Sequence, residues 1–356
     1  MDTKGTVLVA MSGGVDSSVT ALLLQRAGYT CVGATMRLYD GIRIACDQPT
    51  CCSLDDVQDA RRIAESLGMP FYVLDYRDAF EADVIGRFVD EYACGRTPNP
   101  CILCNRHLKF GKLFQKAAEL GCDYIATGHY ARVEQDAAGS FHLRCGIDPK
   151  KDQSYVLYTL EQKQLARLLL PLGSLEKAEV RRIAEENGLV NARKNESQDI
   201  CFIPDGDYAA FLEREGVASE PGPFVDQAGT VVGTHRGVIH YTIGQRKGLG
   251  IALGEPAYVT RIDAAANTVE IGPKAALEVA QFWVDDVVWT SGHTPETPFE
   301  VEVRTHYHAR RIPVRVHPQG ARALAEPLSP LGAVAPGQAA VFYSGDEVVG
   351  GGTISG

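Results

Sequence analysis

Residues 6–28 read TVLVAMSGGVDSSVTALLLQRAG, and this stretch decides the fold. Thr6–Met11 is an apolar run of strand length. Val15–Ala27 then carries Val15, Val19, Leu22, Leu23 and Ala27 at helical spacing, and Gly28 closes the helix. Between them, Gly13 and Gly14 let the backbone turn tightly and approach an anion, while the helix N-terminus directs unpaired N–H groups at it. Ser12, Ser17 and Ser18 add hydroxyl donors. No Gly-Lys-Ser/Thr follows, so the lysine that reaches the β- and γ-phosphates in a Walker A loop is missing. Asp16 offers a carboxylate suited to Mg²⁺ carried on a polyphosphate.

Outward from this loop the pattern alternates. Cys31–Leu38 is a second strand, and Ser53 with Asp56 forms a capping box that opens a helix with Val57, Ile63, Ala64 and Leu67 inward and Gly68 as its stop. Phe71–Asp75 is a third strand, followed by helix over Phe80–Ala93. Asn105 caps a further helix (Leu108, Leu113, Phe114, Ala117, Leu120, then Gly121), and Tyr124–Gly128 is a fourth strand. This βαβα order predicts an α/β fold with a doubly wound parallel sheet and ligands at the C-terminal strand ends.

Ser154–Gly188 reads as helical, with Ser174 beginning one helix. After Pro204 the chain becomes Gly-rich with β-like runs such as GTVVG and RGVIHYTIG. From Phe282 the segments FEVEVRTHY, IPVRVH, AAVFY and EVVGGGTI, separated by Pro and Gly, predict a small β-barrel. The expected domains are residues 1–203 for nucleotide binding and catalysis, 204–281 for a central mainly-β unit, and 282–356 for the barrel.

At 356 residues, 45% hydrophobic and 22% charged, the chain is of the soluble globular class and long enough for two or three cores. No apolar run approaches the roughly 20 residues that span a bilayer. The N-terminus carries no signal-peptide core, so a cytoplasmic protein without membrane contact is expected. Ten cysteines there are thiols, ligands or catalysts. Cys31, Cys46, Cys94, Cys122 and Cys145 stand singly and read as small core hydrophobes, and the Cys51-Cys52 pair reads as structural or incidental. A formal net charge of −10 argues against non-specific coating of nucleic acid. A local stripe still exists: Arg304, Arg310, Arg311, Arg315, His306, His308 and His317 stand against Glu300 and Glu302, either an RNA-binding patch or a solvated strand face.

Thr97-Pro-Asn-Pro-Cys-Ile-Leu-Cys-Asn105 is a stiff loop that places Cys104 just before the expected helix start, where the N-terminal field favours thiolate. Cys201 lies in Ser197-Gln-Asp-Ile-Cys-Phe202. A C-x-x-C alone is a half zinc site, a redox pair or coincidence. With a distant third cysteine it is more specific.

SGGVDSS resembles the pyrophosphate-binding loop of the ATP pyrophosphatase superfamily. With it, GRTPNPCILCN, ATGHYAR, KDQSY, ESQDICFI and YTIGQRKGLGI stand in the order found in the tRNA-specific 2-thiouridylases. The resemblance implies that ATP is held through Ala10, Met11, Ser12, Gly13, Gly14, Val15, Asp16 and Ser17, with Met36 and Gly128, and that Asp16 meets Mg²⁺. It implies that O2 of the wobble uridine attacks the α-phosphate and that sulfur then displaces AMP at C2. Cys201 matches the persulfide carrier and Cys104 the nucleophile that frees the sulfur by forming a disulfide with it. Asn99, Pro100 and Cys101 match contacts to a flipped-out base. Lys151, Asp152 and Gln153, and His306, Tyr307, Arg310 and Arg311 in the barrel, match tRNA contacts. The implied partners are tRNAs for Lys, Glu and Gln and a persulfide-donating carrier or desulfurase, around a monomer.

Two positions depart from the family pattern. Cys101 replaces an Asp that serves as general acid or base, so that Cys101, Cys104 and Cys201 are alternatively three ligands of a 4Fe–4S cluster with one iron open to sulfide. His306-Tyr307-His308 stands where an Arg-Tyr-Arg-like contact is common. The rival readings are an AMP-forming amide synthetase of the same superfamily, a non-catalytic RNA-binding protein and a zinc-stabilised module; the first needs neither Cys104 nor Cys201.

Overall fold

A computed structural model describes residues 3–39, 54–194, 200–251 and 255–355. The glycine-loop strand β1 (Thr6–Ala10) lies in the middle of a five-stranded sheet with β2 (Thr30–Arg37), β3 (Phe71–Asp75), β4 (Tyr124–Ala126) and β7 (Leu168–Leu169). All pairings are parallel and the order is β3-β2-β1-β4-β7, the expected doubly wound arrangement. Val7, Leu8 and Val9 are fully buried, as a strand covered on both faces requires. The order reverses beside β1, so the loops after β1 and β4 flank one crevice.

Helix α1 (Val15–Arg26) and α2 (Leu54–Ser66) follow the predicted periodicity; Ser53, and with it the capping box, lies outside the described residues. Helix α3 (77–93) and α4 (100–119) are each one continuous run with a π-helical insert, Glu81–Ile85 in the first and Cys104–Lys112 in the second. Two expectations need correction here. Asn105 is no cap: α4 begins at Pro100, with the Asn99 side chain accepting from the Cys101 N–H, and Asn105 is buried with its amide near the Val156 carbonyl. Pro at the first helical position after Asn is the start signal that the Asn105 reading overlooked. Helix α5 (Lys177–Glu186) starts after Glu176 rather than at Ser174, which closes a 3-10 turn.

Between β4 and β7 the chain makes a hairpin, β5 (Ala131–Gln135) and β6 (Phe141–Cys145), that leaves the parallel sheet. It joins the C-terminal sheet through Glu347 opposite Arg144. That sheet holds β12 (Phe282–Trp289), β13 (Phe299–Arg304), β14 (Ile312–Gln319), β15 (Arg322–Pro327), β16 (Ala339–Ser344) and β17 (Glu347–Ile354). Pairing of β12 with both β15 and β17 closes these six antiparallel strands into the expected barrel. The central unit has helix α6 (Tyr208–Arg214) and a sheet ordered β10-β11-β8-β9, from Gly222–Val225 (β8), Val231–His235 (β9), Tyr258–Asp263 (β10) and Thr268–Gly272 (β11). RGVIHYTIG is not a strand there: Val238–His240 forms a 3-10 turn that buries Val238 and Ile239.

Of the single cysteines, Cys31, Cys122 and Cys145 are buried as expected, and desolvation pushes the Cys31 thiol up to about 11. Cys94 is exposed, because it caps the C-terminus of α3 rather than facing the core. Cys46, Cys51 and Cys52 lie outside the described residues. So do Ser197, Gln198 and Asp199.

Candidate active site

The crevice beside β1 opens into a cavity of about 330 Å³. It is lined by Ala10, Met11, Ser12, Asp16 and Ser17, with Met36 from β2 and Gly128 after β4. Pro100, Cys101 and Cys104 of α4 and Cys201 line the same cavity. Parts of the chain that are about 100 and 200 residues from the glycine loop therefore share one space with it, as the motifs imply.

Local chemistry shapes the loop. Gly13 has φ +73°, and a Cβ there would stand 2.3 Å from the Asp56 carbonyl oxygen, so no other residue fits. A Cβ on Gly128 would come 3.0 Å from the Asp16 carbonyl carbon and the Ser17 nitrogen; its absence lets the end of β4 close on the start of α1. Gly14 caps α1 without a side-chain hydrogen bond, which leaves that N-terminus to a ligand. The hydroxyls of Ser17 and Ser18 both donate to the Gly14 carbonyl at 3.0 Å. They order the loop instead of reaching outward.

Asp16 is held. Lys177 of α5 donates to its two carboxylate oxygens at 2.7 and 2.8 Å, and the Tyr130 hydroxyl donates to Oδ1 at 2.8 Å. On the far side of the loop, Asn191 donates to the Gly13 carbonyl and Lys194 bridges Asp56 and Asp59. His129 lines the cavity with its Nδ1 2.7 Å from Thr127 Oγ1; burial, and then the Lys109 charge, hold it well below the ordinary imidazole range. It is a neutral ring.

At the thiol end, Cys101 is exposed, Cys104 buried and Cys201 half-buried. The start of α4 at Pro100 reverses an expectation: Cys101 sits at the helix N-terminus, and Cys104 lies a turn deeper. Barrel residues grip this loop, with the Thr97 N–H donating to the Pro336 carbonyl and Gln338 Nε2 to the Thr97 carbonyl. Cys201 is fixed by its neighbours: Tyr39 donates to its carbonyl at 3.1 Å, and Phe202 packs edge-on against Phe80 and Phe88 and, at 5.2 Å between ring centres, against Phe211 of α6. Among the described residues no group of three or more His, Cys, Asp and Glu side chains is placed to hold a metal ion. The three thiols line one cavity.

The remaining predicted residues fall at the junction with the barrel. Gln153 lines the cavity and its Oε1 accepts from the Tyr130 N–H. Asp152 is buried, accepts from the Gly146 and Ser154 N–H groups, and faces Arg304 at 3.6 Å. Lys151 is half-buried beside it. Tyr307 donates to the Asp152 carbonyl, and Arg311 lies over the Tyr343 ring and 2.7 Å from Cys145 Sγ. His306 and Arg310 are exposed. The basic stripe is largely paired with acids: Arg315 with Glu300, His317 with Glu326 and Arg311 with Glu302. Sequence reasoning did not find Lys109, Lys177, Asn191 or Lys194, which reach the site from elements far along the chain.

Comparison with known proteins covers the whole chain. The family described as tRNA methyl transferase HUP domain matches residues 5–205, its PRC-barrel domain residues 209–273, and the aminomethyltransferase beta-barrel domain residues 279–354. The chain is 51% identical to the tRNA-specific 2-thiouridylase MnmA of Heliobacterium modesticaldum over 356 residues, covering 99% of this chain and 92% of that protein. It is 50% identical to that of Geobacter metallireducens over 354 residues (98% and 96%) and 45% identical to that of Clostridioides difficile over 351 residues (98% and 97%). Among the described residues no helix is long and apolar enough to cross a membrane.

Proposed function

The chain belongs to the tRNA-specific 2-thiouridylases, and on that premise we propose how this cavity carries out ATP-dependent 2-thiouridylation of tRNA. The observation that carries the reading is that the glycine loop and the thiols of Cys101, Cys104 and Cys201 line one space. An amide synthetase has no use for those thiols.

ATP is the activating substrate, and Mg²⁺ travels with it. The bare N-terminus of α1 and the loop N–H groups bind its phosphates, Met11 and Met36 flank the nucleotide, and Asp16, still held by Lys177, meets the cation. Uridine O2 attacks the α-phosphorus; the bond from that phosphorus to the bridging oxygen breaks and pyrophosphate leaves. The terminal sulfur of a Cys201 persulfide then adds to C2, and AMP departs with O2. The Cys104 thiolate attacks Cys201 Sγ, which breaks the S–S bond, releases 2-thiouridine and leaves a Cys104–Cys201 disulfide for a cellular dithiol to reduce. The target is the wobble uridine, in tRNAs for Lys, Glu and Gln, and a persulfide-donating protein reloads Cys201. Asn99, Pro100 and Cys101 meet the flipped base, and exposed His306 and Arg310 meet the tRNA backbone.

The test is 2-thiouridine formation on unmodified tRNA by protein stripped of iron and supplied with ATP, Mg²⁺ and a persulfide donor. Product under these conditions is expected. Product only after anaerobic iron–sulfur reconstitution would replace the relay with a cluster, and ATP turnover without product under either condition would favour the synthetase.

A further inference from the structure

The glycine loop lacks a Walker lysine, and a site that binds a polyanion and moves negative charge through a transition state needs a cation to balance it. Two lysines close to the loop are committed to carboxylates, Lys177 to Asp16 and Lys194 to Asp56 and Asp59. The cavity lining contains one further lysine, Lys109, and among the described lining residues no other Lys or Arg. No carboxylate among the described residues pairs with it. It is half-buried, beside the neutral His129 that follows Gly128 and on the same helix as Cys101 and Cys104. It therefore shares one cavity with the nucleotide loop and the thiols.

The backbone explains how it gets there. In an α-helix, side chains five residues apart point roughly 140° away from each other, so Cys104 and Lys109 would face different neighbours. The run Cys104–Lys112 is π-helical, closing with the Leu113 N–H on the Leu108 carbonyl. An i→i+5 turn brings residues five apart back onto one face, and π turns recur at functional sites because they re-aim side chains this way. Both Cys104 and Lys109 accordingly line the cavity.

We propose that Lys109 is a catalytic residue of the activation chemistry, holding the α-phosphate of ATP and stabilising the charge that grows on it. This rests on the thiouridylase reading and deepens it. In the first step the ammonium stabilises the phosphorane-like transition state as O2 bonds to the α-phosphorus and pyrophosphate departs. In the second it stabilises the phosphate of AMP as the C2–O2 bond breaks. Lys109 transfers no proton and forms no bond. The polyphosphate beyond the α-phosphorus remains with the N-terminus of α1.

The experiment measures ATP affinity and single-turnover pyrophosphate release on unmodified tRNA for the wild-type chain, Lys109→Met, Lys109→Gln and Lys109→Arg. Wild-type thiolation in the same preparation tests the underlying reading separately. Loss of pyrophosphate release by roughly 10²–10³-fold is expected in both neutral variants. ATP affinity should change by less than about tenfold, because most phosphate contacts lie on the loop, and Lys109→Arg should recover at least about tenfold of the rate. A working wild type with pyrophosphate release unchanged in Lys109→Met or Lys109→Gln overturns the proposal. So does normal pyrophosphate release with 2-thiouridine lost, which would move Lys109 to the thiols. If Lys109→Met does not fold, Lys109→Gln and the arginine rescue carry the same test.

Discussion

Two helix N-termini open on the same cavity, and they are finished differently. That of α1 is bare: Gly14 supplies no side chain, and the nearby hydroxyls are turned back on its carbonyl. That of α4 is closed: Asn99 accepts the Cys101 N–H at 3.1 Å, and Pro100 fills the first helical position without a donor to satisfy. The same backbone dipole acts at both ends. At α1 the unpaired donors are left for a polyanion that arrives and departs. At α4 the donors are satisfied from within, so the field acts on a thiol that stays. A site that must bind a nucleotide and also hold the Cys101 thiol beside it thus uses one physical device with two kinds of cap.

The largest expected effect breaks the α1 side. Asp16→Ala removes the carboxylate that Lys177 and Mg²⁺ share, and should lower pyrophosphate release by roughly 10²–10³-fold, read in a coupled pyrophosphate assay. Cys104 alkylation should be unaffected. Gly13→Ala comes next: its Cβ overlaps the Asp56 carbonyl in a left-handed conformation, and destabilisation of about 1–3 kcal/mol with loss of ATP binding is expected from thermal melts and titration calorimetry. On the α4 side, Asn99→Ala should cost about 1 kcal/mol, measured by urea unfolding, and slow thiouridine formation more than pyrophosphate release.

The smallest effect concerns the neutral ring in the cavity wall. His129 has a folded pKa well below its ordinary value of 6.5, through burial and then Lys109. Below pH 6.5 the unfolded chain takes up a proton that the folded chain refuses, so stability present above that pH is lost as pH falls. His129→Asn should flatten the acid limb of a stability–pH curve between pH 5 and 7 relative to wild type. An unchanged slope would mean that the ring is hydrated and outside this balance.

The parallel sheet was legible because Thr6–Ala10, Thr30–Arg37 and Phe71–Asp75 are apolar runs bounded by turn residues, and burial on both faces demands that pattern. The strand Leu168–Leu169 was not, since two residues carry no periodicity. The hairpin β5–β6 was hidden because its inward positions are few and it completes a sheet whose other strands come almost 140 residues later. In the site, the loop and the thiols announce themselves by composition and spacing. Lys177 has no such signal, being an ordinary residue of a helix first turn until the fold brings it to Asp16. Lys109 was missed for a different reason: helical spacing assumes 3.6 residues per turn, and the π-helical insert changes which residues share a face.

The central claim is that the glycine loop and the thiols perform separable steps. It is tested most directly by single-turnover reaction of Cys201→Ser with unmodified tRNA and ATP labelled at the α-phosphate. The account predicts one pyrophosphate per tRNA, accumulation of label on the tRNA, and no 2-thiouridine. Thiouridine at the wild-type rate would show that sulfur does not pass through Cys201, and absence of pyrophosphate release from a folded, ATP-binding variant would show that the thiol end takes part in activation.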